Sequence, residues 1–273
     1  AYTTGMNLKL TGFALLSAVL LASGCASIDP KEKQSEKENF LVFLLAGQSN
    51  MAGRGEVTEA DREPDPRILM LTQDGSWQPA IDPVHYDKSR AGTGLARSFA
   101  SVLTEQNKDI TIGLVPAACG GSPISTWVPG GYHEQTDSNP YDDAINRTRR
   151  ALQDGHLAGI LWHQGESDGR PQRAALYRQN LLALIERFRK DLDAPNVPFI
   201  IGQLGQFEGK PWTEARHQVD QAQKEVAAQT AHSAFVSSDG LTAKADNTHF
   251  NRESLQEFGR RYADAWLEVS GED

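Results

Sequence analysis

Cysteine is nearly missing from this chain: Cys25 and Cys119 are the only two among 273 residues. A disulfide framework is thereby excluded, and so is a cysteine-based metal cluster. No block of Lys and Arg stands out, and the formal net charge is −9, which excludes the electrostatic footprint of a nucleic-acid binder. No internal repeat is present, and no Pro/Gly/Ser-rich linker interrupts residues 40–273, so that stretch reads as one domain. Long apolar runs are missing too, with one exception near the start. What remains is 39% hydrophobic and 23% charged, a globular composition in a chain long enough to bury a sizeable core.

The exception is Leu10–Leu21, too short to span a membrane as a permanent helix. Residues 1–5, "AYTTG", precede Met6 and read as upstream sequence. Then come Lys9, the apolar run and "ASGC" ending at Cys25, the pattern of a secretory signal. "LLASGC" resembles a bacterial lipoprotein signal, in which Cys25 becomes the lipidated first residue, although Ala22 stands where such signals usually carry Leu. A plain signal cut near Ala26 is the other reading. The expectation is an exported protein, periplasmic or at the cell surface, whose membrane contact is a lipid anchor at Cys25. Residues 1–24 are then upstream sequence and signal. Residues 25–39 are a flexible tether, because "DPKEKQSEKEN" is charged and lacks a hydrophobic period. The domain is 40–273.

Within the domain, short continuous apolar runs recur at Phe40–Ala46, Ile68–Leu71, Ile110–Val115, Gly159–Trp162, Pro198–Gly202 and Ala234–Val236. Such runs suit strands buried on both faces of a parallel sheet. Helical spacing lies between them, at Gly94–Glu105, Tyr141–Leu152, Arg173–Leu192, Glu214–Thr230 and Arg252–Val269; the first puts Leu95, Phe99, Val102 and Leu103 on one face. Strands alternating with helices predict an α/β fold with helices on both sides of a mostly parallel sheet. In such sheets ligands bind beyond the carboxyl ends of the strands. The segments there are "GQSNMAGRG", "PAACGGSPISTW", "HQGESDG", "QLGQFEG" and "SSDGLTAKADNTHF".

Ser49, in the first of these, has three readings. It can be a helix N-cap. It can belong to a phosphate loop, but no Gly-Lys-Ser/Thr ending or G-x-G-x-x-G spacing follows. It can be a nucleophile, which requires a base to take its proton. His249 in "DNTHFN" is the candidate base, and Asp246, three residues earlier, is placed to orient it; the same residues also read as a helix start, capped by Asn247 or Thr248. His163 in "HQGES" ends a buried strand. With Glu166 and Asp168 it could suggest a metal, but no second cluster matches. Gln164 can offer its amide to an oxyanion, and Glu166 can bond a histidine or a neighbouring loop. Gly120 and Gly121 let backbone N–H groups approach a ligand, or simply make a tight turn; Trp127 reads as a pocket wall, with simple loop packing as the other reading. Cys119 beside them reads as packing, with no nearby cation to favour a thiolate.

Four blocks together resemble the SGNH hydrolases, and within them the sialate O-acetylesterase-like and acetylxylan esterases of carbohydrate esterase family six. These are "GQSNMAGRG", "PAACGGSPISTW", "HQGESD" and "DNTHFN", in the family's order from about Phe40 to Trp266. The resemblance implies a three-layer αβα sandwich of the flavodoxin-like type. It implies Ser49 as nucleophile, His249 as base, and Asp246 or Glu166, or both, as orienting acid. It implies an oxyanion hole from the Ser49 N–H, an N–H of Gly120 or Gly121, and the Gln164 side chain, with Gln48, Asn50 and Trp127 at the substrate pocket. The implied activity is hydrolysis of acetyl esters on carbohydrates such as acetylated xylan or sialic acid, without metal or organic cofactor. A non-catalytic cell-surface carbohydrate-binding protein and an SGNH esterase for a non-carbohydrate ester are the alternatives.

Overall fold

The computed structural model describes residues 1–2 and 37–271. The signal segment, Cys25 and most of the tether lie outside the described residues.

Seven strands make one sheet: β1 (Phe40–Gly47), β2 (Ile68–Leu71), β3 (Trp77–Pro79), β4 (Thr111–Pro116), β5 (His156–His163), β6 (Phe199–Gly202) and β7 (Ser233–Val236). Their order is β3-β2-β4-β1-β5-β6-β7, and every neighbouring pair is parallel except β2–β3. The central strand shows why its sequence reads as an unbroken apolar run. Leu41, Phe43 and Leu45 enter one core cluster, while Val42, Leu44 and Ala46 enter another on the opposite face.

Helices cover both clusters. After the single turn α1 (Ser49–Ala52) come α2 (Ala96–Gln106), α3 (Pro140–Ala151), α4 (Pro171–Asp191), α5 (Glu214–Gln229) and α6 (Arg252–Ser270). Phe99 and Leu103 of α2 and Phe258, Tyr262 and Trp266 of α6 fill the first cluster; Ile145, Tyr177, Leu184, Val219 and Val226 of α3, α4 and α5 fill the second. The result is an αβα sandwich. Each fully buried Phe or Leu contributes about 1.5–3 kcal/mol. Phe43 stands edge-on to Phe99 at 4.8 Å and Trp266 at 5.3 Å, so β1 is keyed to both helices of its layer. The helix starts follow local chemistry: Pro140 and Pro171 open α3 and α4, the Thr213 side chain caps α5, and the Asn251 side chain caps α6 by accepting from the Ser254 N–H.

Two sheet details depart from the sequence reading. β3, a three-residue antiparallel edge strand, is too short and too exposed to leave an apolar signature. β5 runs longer than Gly159–Trp162, from His156 to His163, because Leu41 and Val42 pair with His156 and Leu157 at its start and Gly47 pairs with His163 at its end. That pairing needs glycine: Gly47 has φ 137°, and a Cβ there would lie 2.1 Å from the His163 carbonyl oxygen. Beyond it, the Gln48 N–H donates to His163 O and the Cys119 N–H to Gly47 O, each at 2.9 Å. The loops after β4, β1 and β5 are thereby drawn together at the carboxyl end of the sheet.

Candidate active site

Ser49 is the first residue of α1, and Gln48 holds the cap position without a side-chain cap bond. The N-cap reading of Ser49 is therefore corrected: its hydroxyl serves a tertiary contact, lying 2.9 Å from His249 Nε2. His249 Nδ1 lies 2.7 Å from Asp246 Oδ2. With the Asp246 carboxylate accepting from Nδ1–H, Nε2 is left to accept from the Ser49 hydroxyl.

Asp246 also accepts the N–H groups of Thr248 and His249 through Oδ1, both at 2.9 Å. These bonds close a tight turn in which Asn247 adopts a left-handed φ of 49°. Neither Asn247 nor Thr248 caps α6. Partial burial works to raise the Asp246 carboxyl, but the bonds from His249 and the Thr248 N–H outweigh it and bring it down to about 2. It stays a carboxylate across the neutral range.

Several expected roles differ in the structure. Among the described residues, Glu166 makes no hydrogen bond or ion pair with His249. It accepts from Asn50 Nδ2 at 2.5 Å, and its Oε1 lies 3.6 Å from His163 Nε2. Burial works to raise its carboxyl; His163 and the Asn50 amide more than offset this and hold it below its usual value. His163 is fully buried, edge-on to Phe250 and Phe258. Asn50 is not a pocket wall: at 1% exposure it brackets α1 to Glu166, to Thr248 O at 3.2 Å and to the Phe250 N–H at 3.1 Å. Trp127 is likewise no pocket wall. It is buried against Trp162 at 5.0 Å, with Nε1 donating to Ser122 Oγ at 3.0 Å. Cys119 is buried, and burial pushes its thiol up to about 11.

The expected oxyanion donors divide. The Gly120 N–H is committed to Asp87 Oδ2 at 2.9 Å. The N–H groups of Ser49 and Gly121 have no protein partner among the described residues. Gln164 is sealed from solvent, and its Nε2 faces three acceptors, Asp168 Oδ2 at 2.5 Å, Ser122 O at 3.0 Å and Gln48 Oε1 at 3.2 Å, more than its two hydrogens can serve singly. It is a brace rather than a free donor. Gln48 Oε1 receives two further N–H groups, from Gly165 and Ser167, each at 3.4 Å, and the Gln48 amide nitrogen has no protein partner among the described residues. Two residues that sequence reasoning missed, Arg54 and Asp87, pair in a buried bridge beside these glycines. Arg54 lies within the conspicuous "GQSNMAGRG"; Asp87 has no local signal. A cavity of about 400 Å³ flanks Gly121, with His133, Gln135, Ser167, Arg170 and Arg173 among its walls. Among the described residues, no group of three or more His, Cys, Asp or Glu side chains is placed to hold a metal ion.

Known proteins share this arrangement of chain. The family described as carbohydrate esterase, sialic acid-specific acetylesterase matches residues 39–268. A probable carbohydrate esterase of Arabidopsis thaliana is 30% identical over 88% of this chain and 97% of its own. Its X-ray structure superposes with a TM-score of 0.74, covering 85% of this chain and 98% of that one. A probable 9-O-acetyl-N-acetylneuraminic acid deacetylase of Escherichia coli is 28% identical over 63% of this chain and 65% of its own. The crystal structure of NanS, 20% identical, shares the fold with a TM-score of 0.66 over 87% of this chain and 99% of its own. A match through nearly the whole sheet and all four loops leaves one assignment: the chain belongs to the carbohydrate esterase, sialic acid-specific acetylesterase family, and is a carboxylic ester hydrolase.

Proposed function

We propose that this esterase removes O-acetyl groups from carbohydrates by way of an acyl-enzyme on Ser49. One observation carries the reading: the unbroken line of contacts from the Ser49 hydroxyl through the His249 ring to the Asp246 carboxylate. A serine hydroxyl is a poor nucleophile until an oriented base removes its proton, and this is the geometry that does so.

Ser49 Oγ attacks the acetyl carbonyl carbon while its proton passes to His249 Nε2. The carbonyl oxygen becomes an oxyanion, received by the free N–H groups of Ser49 and Gly121 and by the Gln48 amide nitrogen. The bond to the sugar oxygen breaks, and that oxygen leaves with the proton from His249. Water, deprotonated by the same ring, then attacks the acetyl-serine and releases acetate. Asp246 stays ionised and steadies the imidazolium at both stages. Loss of one oxyanion donor costs about a hundred- to a thousandfold in rate.

The carbohydrate assignment is supported by the polar walls of the cavity beside Gly121, which suit sugar hydroxyls, and by the names of the relatives. Export through the N-terminal signal, with Cys25 as the anchoring residue, belongs to the same reading. Ser49→Ala is the test. It should abolish p-nitrophenyl acetate hydrolysis and acetate release from acetylated glycans, and block covalent labelling by a fluorophosphonate, at an unchanged thermal midpoint. Near wild-type turnover in that variant would overturn the assignment.

A further inference from the structure

The Arg54–Asp87 pair grips the oxyanion loop. Arg54 Nη2 donates to Asp87 Oδ2 at 2.7 Å and Nη1 to Oδ1 at 3.3 Å. Nη1 also donates to Gly53 O at 2.7 Å, next to α1. The same Asp87 Oδ2 accepts the Gly120 N–H at 2.9 Å. Both side chains are sealed, at 3% and 1% exposure. The Arg54 carbonyl in turn accepts from Lys244 Nζ at 2.5 Å, on the segment that leads to Asp246 and His249. One buried pair thus touches the nucleophile's segment and the oxyanion loop through side chains, and the base's segment through its backbone.

Such a pair is a poor device for stability alone, because desolvating two charges offsets much of their attraction and an apolar pair of the same volume commonly serves as well. Here Arg54 Nε also lacks a hydrogen-bond partner among the described residues. The pair demands a bare backbone as well: a Cβ on Gly120 would lie 2.5 Å from Asp87 Oδ2 and 2.7 Å from Arg54 Nη2. Gly120 is therefore shaped to be held, and Gly121, with φ 91° and a free N–H, is the residue the hold presents.

We propose that Arg54 and Asp87 are positioning residues for the esterase reaction: they fix Gly120 so that the Gly121 N–H, and not that of Gly120, meets the oxyanion. The inference rests on the serine-esterase reading above. Disorder of the loop would misplace a donor that matters only when negative charge develops. The cost should therefore fall on kcat and leave KM nearly alone. A misplacement near 1 Å costs on the order of a hundredfold.

The test compares wild type, Asp87→Asn, and the double variant Arg54→Met/Asp87→Leu, which removes both charges together so that neither is left buried alone. Steady-state kinetics on p-nitrophenyl acetate are paired with the affinity for methylboronic acid, which forms a tetrahedral anionic adduct on serine, and with thermal midpoints. Both variants should lose about ten- to a hundredfold in kcat, with KM within about threefold, and should bind the boronic acid more weakly by a similar factor. The double variant should do so at a thermal midpoint near wild type. A folded double variant with wild-type kcat and boronic acid affinity overturns the proposal, and so does a loss confined to KM. Absence of esterase activity in the wild-type protein would instead count against the serine-esterase reading, so the two failures are distinguishable.

Discussion

Two histidine–carboxylate pairs with the same three-residue spacing lie within reach of Asn50. His249 and Asp246 belong to a loop, 2.7 Å apart, with the far ring nitrogen on Ser49. His163 and Glu166 straddle the end of β5, 3.6 Å apart, with the ring pressed between Phe250 and Phe258 and the carboxylate spent on Asn50. The chemistry of the residues is nearly the same; the backbone beneath them is not. A tight turn folds Asp246 back on the ring that follows it. A strand end carries Glu166 away from His163 toward its neighbour loop. Spacing nominates a pair, and the local backbone decides whether it faces a reactant or the core.

The comparison can be broken most sharply at the rings. His249→Ala should lower kcat by about ten-thousandfold or more, since the unit of nucleophile and base fails as a whole. His163→Ala should leave a cavity and cost about 2–4 kcal/mol in denaturant unfolding, with a far smaller change in turnover. Equal catalytic losses would erase the distinction.

The acids come next. Asp246→Ala should lower kcat by about a hundredfold, with a modest fall in thermal midpoint because the carboxylate also closes the turn by accepting the Thr248 and His249 N–H groups. Glu166→Ala strips Asn50 of a partner; stability should fall by about 1–3 kcal/mol while kcat stays within about tenfold. If Glu166→Ala has the larger kinetic loss, the acid has been misassigned.

A third contrast is between carboxyls in pH. Asp246 sits below its usual value of 3.8, at about 2, so what it adds to stability is present above that value and is lost as pH falls toward 2. Asp82 is the reverse. Burial raises it to about 7, so the folded chain keeps a proton the unfolded chain has released, and stability declines as pH rises from about 4 to 7. Asp82→Asn should flatten that decline, measured by urea unfolding at pH 5 and pH 8. The smallest effect is expected at Cys119: its buried thiol should resist maleimide in the folded protein, and Cys119→Ala should change kcat by less than about twofold.

The sheet was legible because strands buried on both faces must be apolar throughout, and Val42 through Ala46 obey that rule on alternate sides. β3 was not, since three residues at an edge bury too little to show a pattern. Ser49, Asp246 and His249 are legible as a set because a strand end and a three-residue turn are local features. Gln164 and Gly120 are not legible as they stand, because their donors are taken by Asp168 and Asp87: Asp168 sits four residues on in the same block but its direction depends on the turn between them, and nothing near Asp87 in sequence announces its bond. For Trp127 the packing reading is the one the structure bears out, because Trp162 lies against it.

Ser49 and His249 are 200 residues apart, near opposite ends of the domain. A chain growing from its N-terminus holds its serine from the start but meets its base only when the last loop has been made and α6 has docked. Every incomplete or truncated product is thus chemically silent. The separation acts as a built-in delay, coupling the first turnover to the finished fold.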